Sequence, residues 1–319
     1  MHEFQLINKY FLHLSKKNKS SLNLNDDVFF DKSKKLVVSV DTYVEGIHFK
    51  NFKKPNLVIK KIIRSSISDI ICKGVKPKYY FISGSGNKKS FSSSNLKKIS
   101  ISLKQEQNKY GIFLCGGDTV YSNKLSFTIT SIGFSQKIIM RNNAKLNDDI
   151  YVTGNLGDSF AGLNILNKKI STNNSLNKYF KSKYYLPNLH LKLTNKLLTF
   201  ANTSIDISDG LITDMEKLIN KQKLSYKLIL ENIPVSNNLK KLLIQKKLNK
   251  ISYISQGDDY QILFTANSSK SRIINKTAKA LGIKISKIGK ICSKLHKSQI
   301  IDQKGNKIAL KTKGYSHRF

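Results

Sequence analysis

The residues with the most chemical potential in this chain are its acids, because they are few and fall together. Twenty Asp and Glu stand against 56 Lys and Arg, for a formal charge of +36. Asp26-Asp27, Asp41, Asp69, Asp118, the Asp206/Asp209/Asp214 set and Asp258-Asp259 mostly follow a β-branched or apolar run, or lie in a Gly-containing turn. Carboxylates gathered at strand ends ligate hard cations. Mg²⁺ held by one or two carboxylates per ion plus substrate phosphates is the usual arrangement for phosphoryl transfer.

Each context has its own logic and its own simpler reading. In NDDVFF (25–30) the acidic pair also suits a turn or a cap. In SVDTYVEGIHF (39–49) Asp41 ends an apolar run, and His48 is a candidate phosphate or substrate contact. In SSISDIICKGVKP (65–77) Asp69 sits among Ile67, Ile70 and Ile71, where a carboxylate is costly unless ligated, paired or turned outward. LCGGDT (114–119) joins two glycines, which let backbone amides approach a phosphate, to an acid able to hold a metal. SIDISDGL (204–211) sets Asp206 and Asp209 around Ser208 at a helix start, where the dipole favours anions and the acids favour cations. An N-cap role for Ser208 or Asp209 is compatible with that. In SQGDDYQILF (255–264) the pair Asp258-Asp259 precedes a strand and could meet a cationic substrate group. GxxxxGK[ST], the HRD/DFG pair and GxSxG do not occur.

Alternating strands and helices must position these acids. The periodicity predicts an amphipathic helix over 3–17 carrying Phe4, Ile7, Phe11 and Leu14, and a buried strand over 34–44 with Asp41 at its tip. A helix over 55–72 opens on Pro55. A strand over 79–85, a helix over 91–109, a strand over 111–118 entering a Gly-Gly turn and a strand over 124–134 complete a first unit, residues 1–136. The second unit, 137–319, starts with strand, glycine turn and helix over 148–166. A lysine- and asparagine-rich connection (167–187) then leads to a helix over 188–201. Residues 204–219 repeat strand, turn and helix. Strands over 225–230, 261–266 and 283–292 alternate with helices over 236–248 and 269–281.

Length suits two domains, and the sequence holds no run of 18 apolar residues to cross a membrane. The N-terminus lacks the pattern of a secretory signal. Cys72, Cys115 and Cys292 are scattered and odd in number, which fits a reducing cytoplasm and no zinc site. Only Arg64, Arg141, Arg272 and Arg318 are arginine, and lysines run through every segment. That distribution reads as compositional bias, not as a nucleic-acid surface, where arginine forks are favoured.

In order, DD, VSVDTYVEGIHF, SISDIICKG, GGDT, YVTGNLGDSFAGL, IDISDGLITD, QGDDYQILF and KGYSHRF cover essentially the whole chain. Together they resemble the thiamine-monophosphate kinases, of the ATP-binding superfamily that includes aminoimidazole ribonucleotide synthetase and selenophosphate synthetase. The reactive N-terminal Cys or selenocysteine of the latter has no counterpart before Cys72. The resemblance implies a two-domain α/β (α+β) fold whose N-terminal sheet pairs with that of a second subunit. It implies direct γ-phosphoryl transfer from ATP to thiamine monophosphate, with several Mg²⁺ ions and no nucleic-acid or membrane partner. By match, Asp27, Asp41, Asp69, Asp118, Asp206 and Asp209 are metal carboxylates. Ser39 and Val40 (through its carbonyl) are neighbouring metal contacts. Gly117, Asp118, Lys137 and Ser208 match ATP contacts, and His48, Asp258 and Thr312 match substrate contacts. The chain departs from the family in four places. Asn25 replaces a glycine, Asp258 and Gln261 replace glutamates, Lys137 stands where Arg is usual, and Thr312 stands where an aromatic is frequent. Tyr315 or Phe319 could serve instead of the last.

Overall fold

The computed structural model describes residues 3–310 and 312–316; Phe319 lies outside them. Among the described residues, eleven strands form two sheets. The first combines β1 (Phe29–Asp31), β2 (Leu36–Val44), β3 (Pro77–Gly86), β4 (Phe113–Tyr121) and β5 (Ser126–Phe134) in the order β1-β2-β5-β3-β4. Its pairs are antiparallel except β3–β4. The second combines β6 (Asp149–Thr153), β7 (Thr203–Asp206), β8 (Leu224–Ile229), β9 (Ile262–Ala266), β10 (Ile285–Ser293) and β11 (Gln299–Ile301) in the order β11-β8-β10-β6-β9-β7.

The helices are α1 (Glu3–Leu6), α2 (Leu12–Ser15), α3 (Pro55–Cys72), α4 (Ser93–Tyr110), α5 (Asp158–Leu166), α6 (Asn174–Tyr185), α7 (Thr194–Leu197), α8 (Leu211–Leu218), α9 (Asn237–Gln245), α10 (Lys250–Ile254) and α11 (Ser271–Leu281). The predicted helix over 3–17 is interrupted by a π-turn at Ile7–Phe11, and Phe11 and Leu14 stay exposed.

Helix α3 is the spine of the molecule. Its isoleucines at 59, 62, 63, 67 and 70 are all fully buried. Its polar residues at 61, 65, 68, 69 and 73 recur at helical spacing and meet both units. One apolar core links α3, α4 and the first sheet to Ile262, Phe264 and Ala266 of β9. A second lies under α8, α9 and the remaining strands of the second sheet.

Four local expectations are corrected. Asp41 lies within β2, not at its tip, and β2 is alternately buried and open, since Val40 is 61% exposed. Gly116-Gly117 is strand, not turn. A Cβ on Gly117 would stand 1.7 Å from the Ile82 carbonyl oxygen, so β4 approaches β3 there as only glycine allows. The connection over 167–187 contains α6, capped by the Asn173 side chain, which accepts from Leu176 N at 2.9 Å. The lysines and asparagines of α6 form an outer face around buried Phe180, Tyr184 and Tyr185, which hid the helical period. The helix predicted over 188–201 shrinks to a 3₁₀ turn and α7. No helix among the described residues is long and apolar enough to cross a membrane.

Candidate active site

Three carboxylates from distant segments converge. Asp27, beyond the N-terminal helices, Asp69 on α3 and Asp206 at the end of β7 place carboxylate oxygens within 4.8 Å of one another. Ser39 of β2 donates to Asp69 Oδ2 at 2.5 Å, and Ser68 donates to Asp206 Oδ2 at 2.7 Å. Asp41 lies close enough for its carboxyl to hydrogen-bond that of Asp69. Burial pushes both Asp41 and Asp206 up to about 6. Burial, then the charges of Asp41 and Asp206, pushes Asp69 well above the usual carboxylate range. Crowded, desolvated carboxylates of this kind are costly in isolation and suit a hard divalent cation.

Two cations that sequence reasoning missed hold the rim of this cluster. Lys73, fully buried, bridges Asp26 and Asp27 at 2.7 Å each and donates to Ser204 O. Arg141 forms an ion pair with Asp27, and its backbone N donates to Asp26 Oδ2 at 2.8 Å. The charges of Asp206, Asp209 and Asp214 also act on this guanidinium. The signal was present: Arg141 is one of only four arginines and follows the last strand of the first sheet. Lys137, the position matched by motif, is exposed instead.

Asp209 and Ser208 extend the cluster along the 207–210 loop. Lys217 binds Asp209 at 2.5 Å and Asp214 at 3.1 Å, while Asp214 Oδ2 accepts from the backbone N of Asp209 and Gly210. Ser208 O accepts from Asp258 N at 2.9 Å, which ties this loop to the 257–261 segment. Tyr315 N donates to Asp209 O, and Glu3, Phe4, Asp209, Lys217 and Tyr315 line a cavity of about 290 Å³.

Two of the substrate-side candidates, His48 and Asp258, lie toward the other end of α3. Lys61 donates to Asp258 Oδ1 at 2.6 Å and lies 3.8 Å from the centre of the Tyr184 ring. Tyr184 Oη donates to the His48 carbonyl at 3.3 Å, and the Tyr43 and His48 rings meet edge-on. Thr312 is exposed and lies beside Gln256 at 3.3 Å. Asp259 turns away from this group and caps α5 through the backbone N of Gly157 and Ser159. Gln261 is buried against Thr153 and His190.

Asp118 does not join the cluster within one chain. It pairs with Ser83, which pairs with Thr128, which pairs with Thr42, while Asp41 belongs to the adjacent row through Ile129, Ile82 and Gly117. Alternation puts neighbouring rows on opposite faces, and three strand spacings amount to roughly 14 Å. The Val40 side chain likewise points away from the cluster, onto the open face.

Residues 25–135 match the family described as "AIR synthase related protein, N-terminal domain". Over 323 residues the chain is 34% identical to the thiamine-monophosphate kinase of Buchnera aphidicola subsp. Schizaphis graminum, covering 99% of this chain and 98% of that one. It is 28% identical to the Bacillus subtilis enzyme of that name, covering 99% of each. The solved structure of AaThiL complexed with AMPPCP and TMP superposes with a TM-score of 0.85 at 26% identity, over 99% of this chain and 97% of that one. E. coli HypE, at 16% identity and a TM-score of 0.68 over 86% of this chain and 85% of that one, shares the fold. The chain belongs to the thiamine-monophosphate kinase family.

Proposed function

We propose that this chain transfers the γ-phosphoryl group of ATP to the phosphate of thiamine monophosphate, giving thiamine diphosphate and ADP. The observation that carries this reading is the convergence of Asp27, Asp69 and Asp206, in a chain aligned end to end with its kinase relatives. AaThiL has been solved with AMPPCP and TMP, and we extend that pair of ligands to this chain as ATP and acceptor.

The donor set is all oxygen, as Mg²⁺ prefers, so Asp27, Asp41, Asp69, Asp206 and Asp209, with Ser39 and the Val40 carbonyl beside them, are the proposed metal residues. Several Mg²⁺ ions bound there would neutralise the two phosphate groups and the charge of the transferring group. Around them, Arg141 and Ser208 orient the ATP phosphates, with Gly117 as a further proposed ATP contact and exposed Lys137 as a peripheral one that contributes little. His48, Asp258 and Thr312 bind the acceptor end. The acceptor is already an ionised phosphate, so attack needs no strong general base, and transfer is direct. With γ-labelled ATP, label should appear only in the terminal phosphate of thiamine diphosphate; label retained on the protein would contradict direct transfer.

We further propose a homodimer that completes the site. Every residue of β4 is exposed, including Phe113, Leu114, Val120 and Tyr121, as are Val40, Phe81 and Phe134 of the same sheet. A second copy covering this face would put Asp118, which does not reach its own chain's cluster, in the interface between the two chains, and we propose that it serves the partner's site from there. Mixing Asp118→Asn and Asp209→Asn subunits tests this. A 1:1 mixture should recover about a quarter of wild-type activity, since about half of its dimers are mixed and each of these has one intact site of two, whereas an Asp118 acting in its own chain leaves every mixture inactive. The 1–136 and 137–319 units are the proposed domains. Free Cys72, Cys115 and Cys292 support a reducing, cytoplasmic setting.

A further inference from the structure

Lys61 is among the largest fully buried side chains, with 1% of it exposed. Its ammonium meets Asp258 Oδ1 at 2.6 Å and the face of Tyr184 at 3.8 Å. A buried lysine of this kind is poor value for stability, because apolar side chains of similar volume usually do as well. Burial also pulls its pKa down, against the pull of the Asp258 charge.

The partner is held with equal insistence. Asp258 and Tyr260 both have left-handed backbones, at φ +69° and +49°, a conformation that glycine and asparagine favour. Gly257 makes this possible, since a Cβ there would stand 1.8 Å from Ser208 O. Strained residues clustered in one loop mark a functional constraint. Asp258 Oδ1 is doubly committed, to Lys61 and to Tyr260 Oη at 3.2 Å. Oδ2 accepts no hydrogen bond among the described residues, and the side chain is 27% exposed. Lys61 and Asp69 share one face of α3 eight residues apart, so this free oxygen is presented roughly 12 Å along the helix from the carboxylate cluster. Tyr184, whose face packs on the Lys61 ammonium, donates to the His48 carbonyl.

We infer that Lys61 is a positioning residue for the acceptor. By fixing Oδ1 of Asp258 it aims Oδ2 at the cationic ring of thiamine monophosphate while the phosphate end lies at the carboxylate cluster. This rests on the acceptor proposed above. It also accounts for an acid one methylene shorter than the family's glutamate, because the ammonium on α3 sets where the carboxylate stands.

The test is steady-state kinetics on wild type, Lys61→Met, Lys61→Arg and Asp258→Asn, varying each substrate with the other saturating. Lys61→Met should raise KM for thiamine monophosphate roughly tenfold or more, as expected on removing one partner of a buried pair. KM for ATP should stay unchanged and kcat should stay within about threefold. Asp258→Asn should do the same, and the double variant should be no worse than either single one. A Lys61→Met protein with a lowered melting temperature and unchanged KM for both substrates overturns the inference. If Lys61→Met does not fold, Lys61→Arg and Asp258→Asn decide. An Asp258→Asn enzyme with normal KM for the acceptor overturns it. An inactive wild type would instead sink the proposed function, and with it the acceptor named here.

Discussion

Ser68 of α3 donates to Asp206 Oδ2 at 2.7 Å across 138 residues of sequence. The next residue on the helix, Asp69, faces the same carboxylate across the cluster. The contact joins α3 to the second sheet at the point where charge is most crowded. Removing charge there should therefore stabilise the apo protein and destroy its chemistry. Asp206→Asn should lower kcat by roughly 10²–10³ or more, with an apo melting temperature equal to or above wild type. Activity near wild type would remove Asp206 from the metal set.

Protonation gives a second prediction. Asp41 and Asp206, pushed up to about 6 from 3.8, hold protons in the folded state that the unfolded chain has already lost. Between those values the folded state binds more protons, so apo stability falls as pH rises toward 6 and through it. Mg²⁺ requires the deprotonated carboxylates, so its stabilising effect should be large above about pH 7 and small below about pH 5. Melting curves across that range, with and without Mg²⁺, check both signs. A Mg²⁺ effect independent of pH contradicts the cluster as the binding site.

Arg141 and Lys137 predict opposite outcomes. Arg141→Met removes a planar fork from beside Asp27 and should cost roughly 10²-fold in kcat/KM for ATP. Lys137→Ala alters an exposed side chain and should change it by less than about threefold. The reverse ranking would return the ATP contact to the position chosen by motif.

A fourth prediction separates structure from catalysis. Arg64 grips Glu106 with two bonds, at 2.8 and 2.9 Å, and donates to Pro187 O at 3.1 Å, all buried. Arg64→Met strands the Glu106 carboxylate and should cost about 3–5 kcal/mol in denaturant unfolding. A loss below about 1 kcal/mol would mean that the pair is solvated in solution.

What was legible in the sequence follows from how each signal arises. Helix α3 was read to the residue because Pro55 and the isoleucines at 59, 62, 63, 67 and 70 give an unambiguous period. The acids were legible because so few remain among the lysines. Helix α6 was not, since its aromatic stripe is narrow and its exposed face looks like a linker. Lys61 and Lys73 were invisible for a different reason. Among so many lysines no single one stands out, and only burial against Asp258, Asp26 and Asp27 distinguishes these two. Arg141, one of four arginines, did carry a signal, but its type alone does not show that it meets Asp27. The separation of Asp118 from Asp41 depends on strand order and register, which local patterning does not encode.

The most direct test of the account is the reaction itself. Purified protein with ATP and Mg²⁺ would be given thiamine monophosphate or thiamine, and thiamine diphosphate followed over time. The account predicts product from the monophosphate and none from thiamine. ATP binding with no thiamine diphosphate formed would contradict it, and would direct attention to the altered acceptor residues Asp258, Gln261 and Thr312.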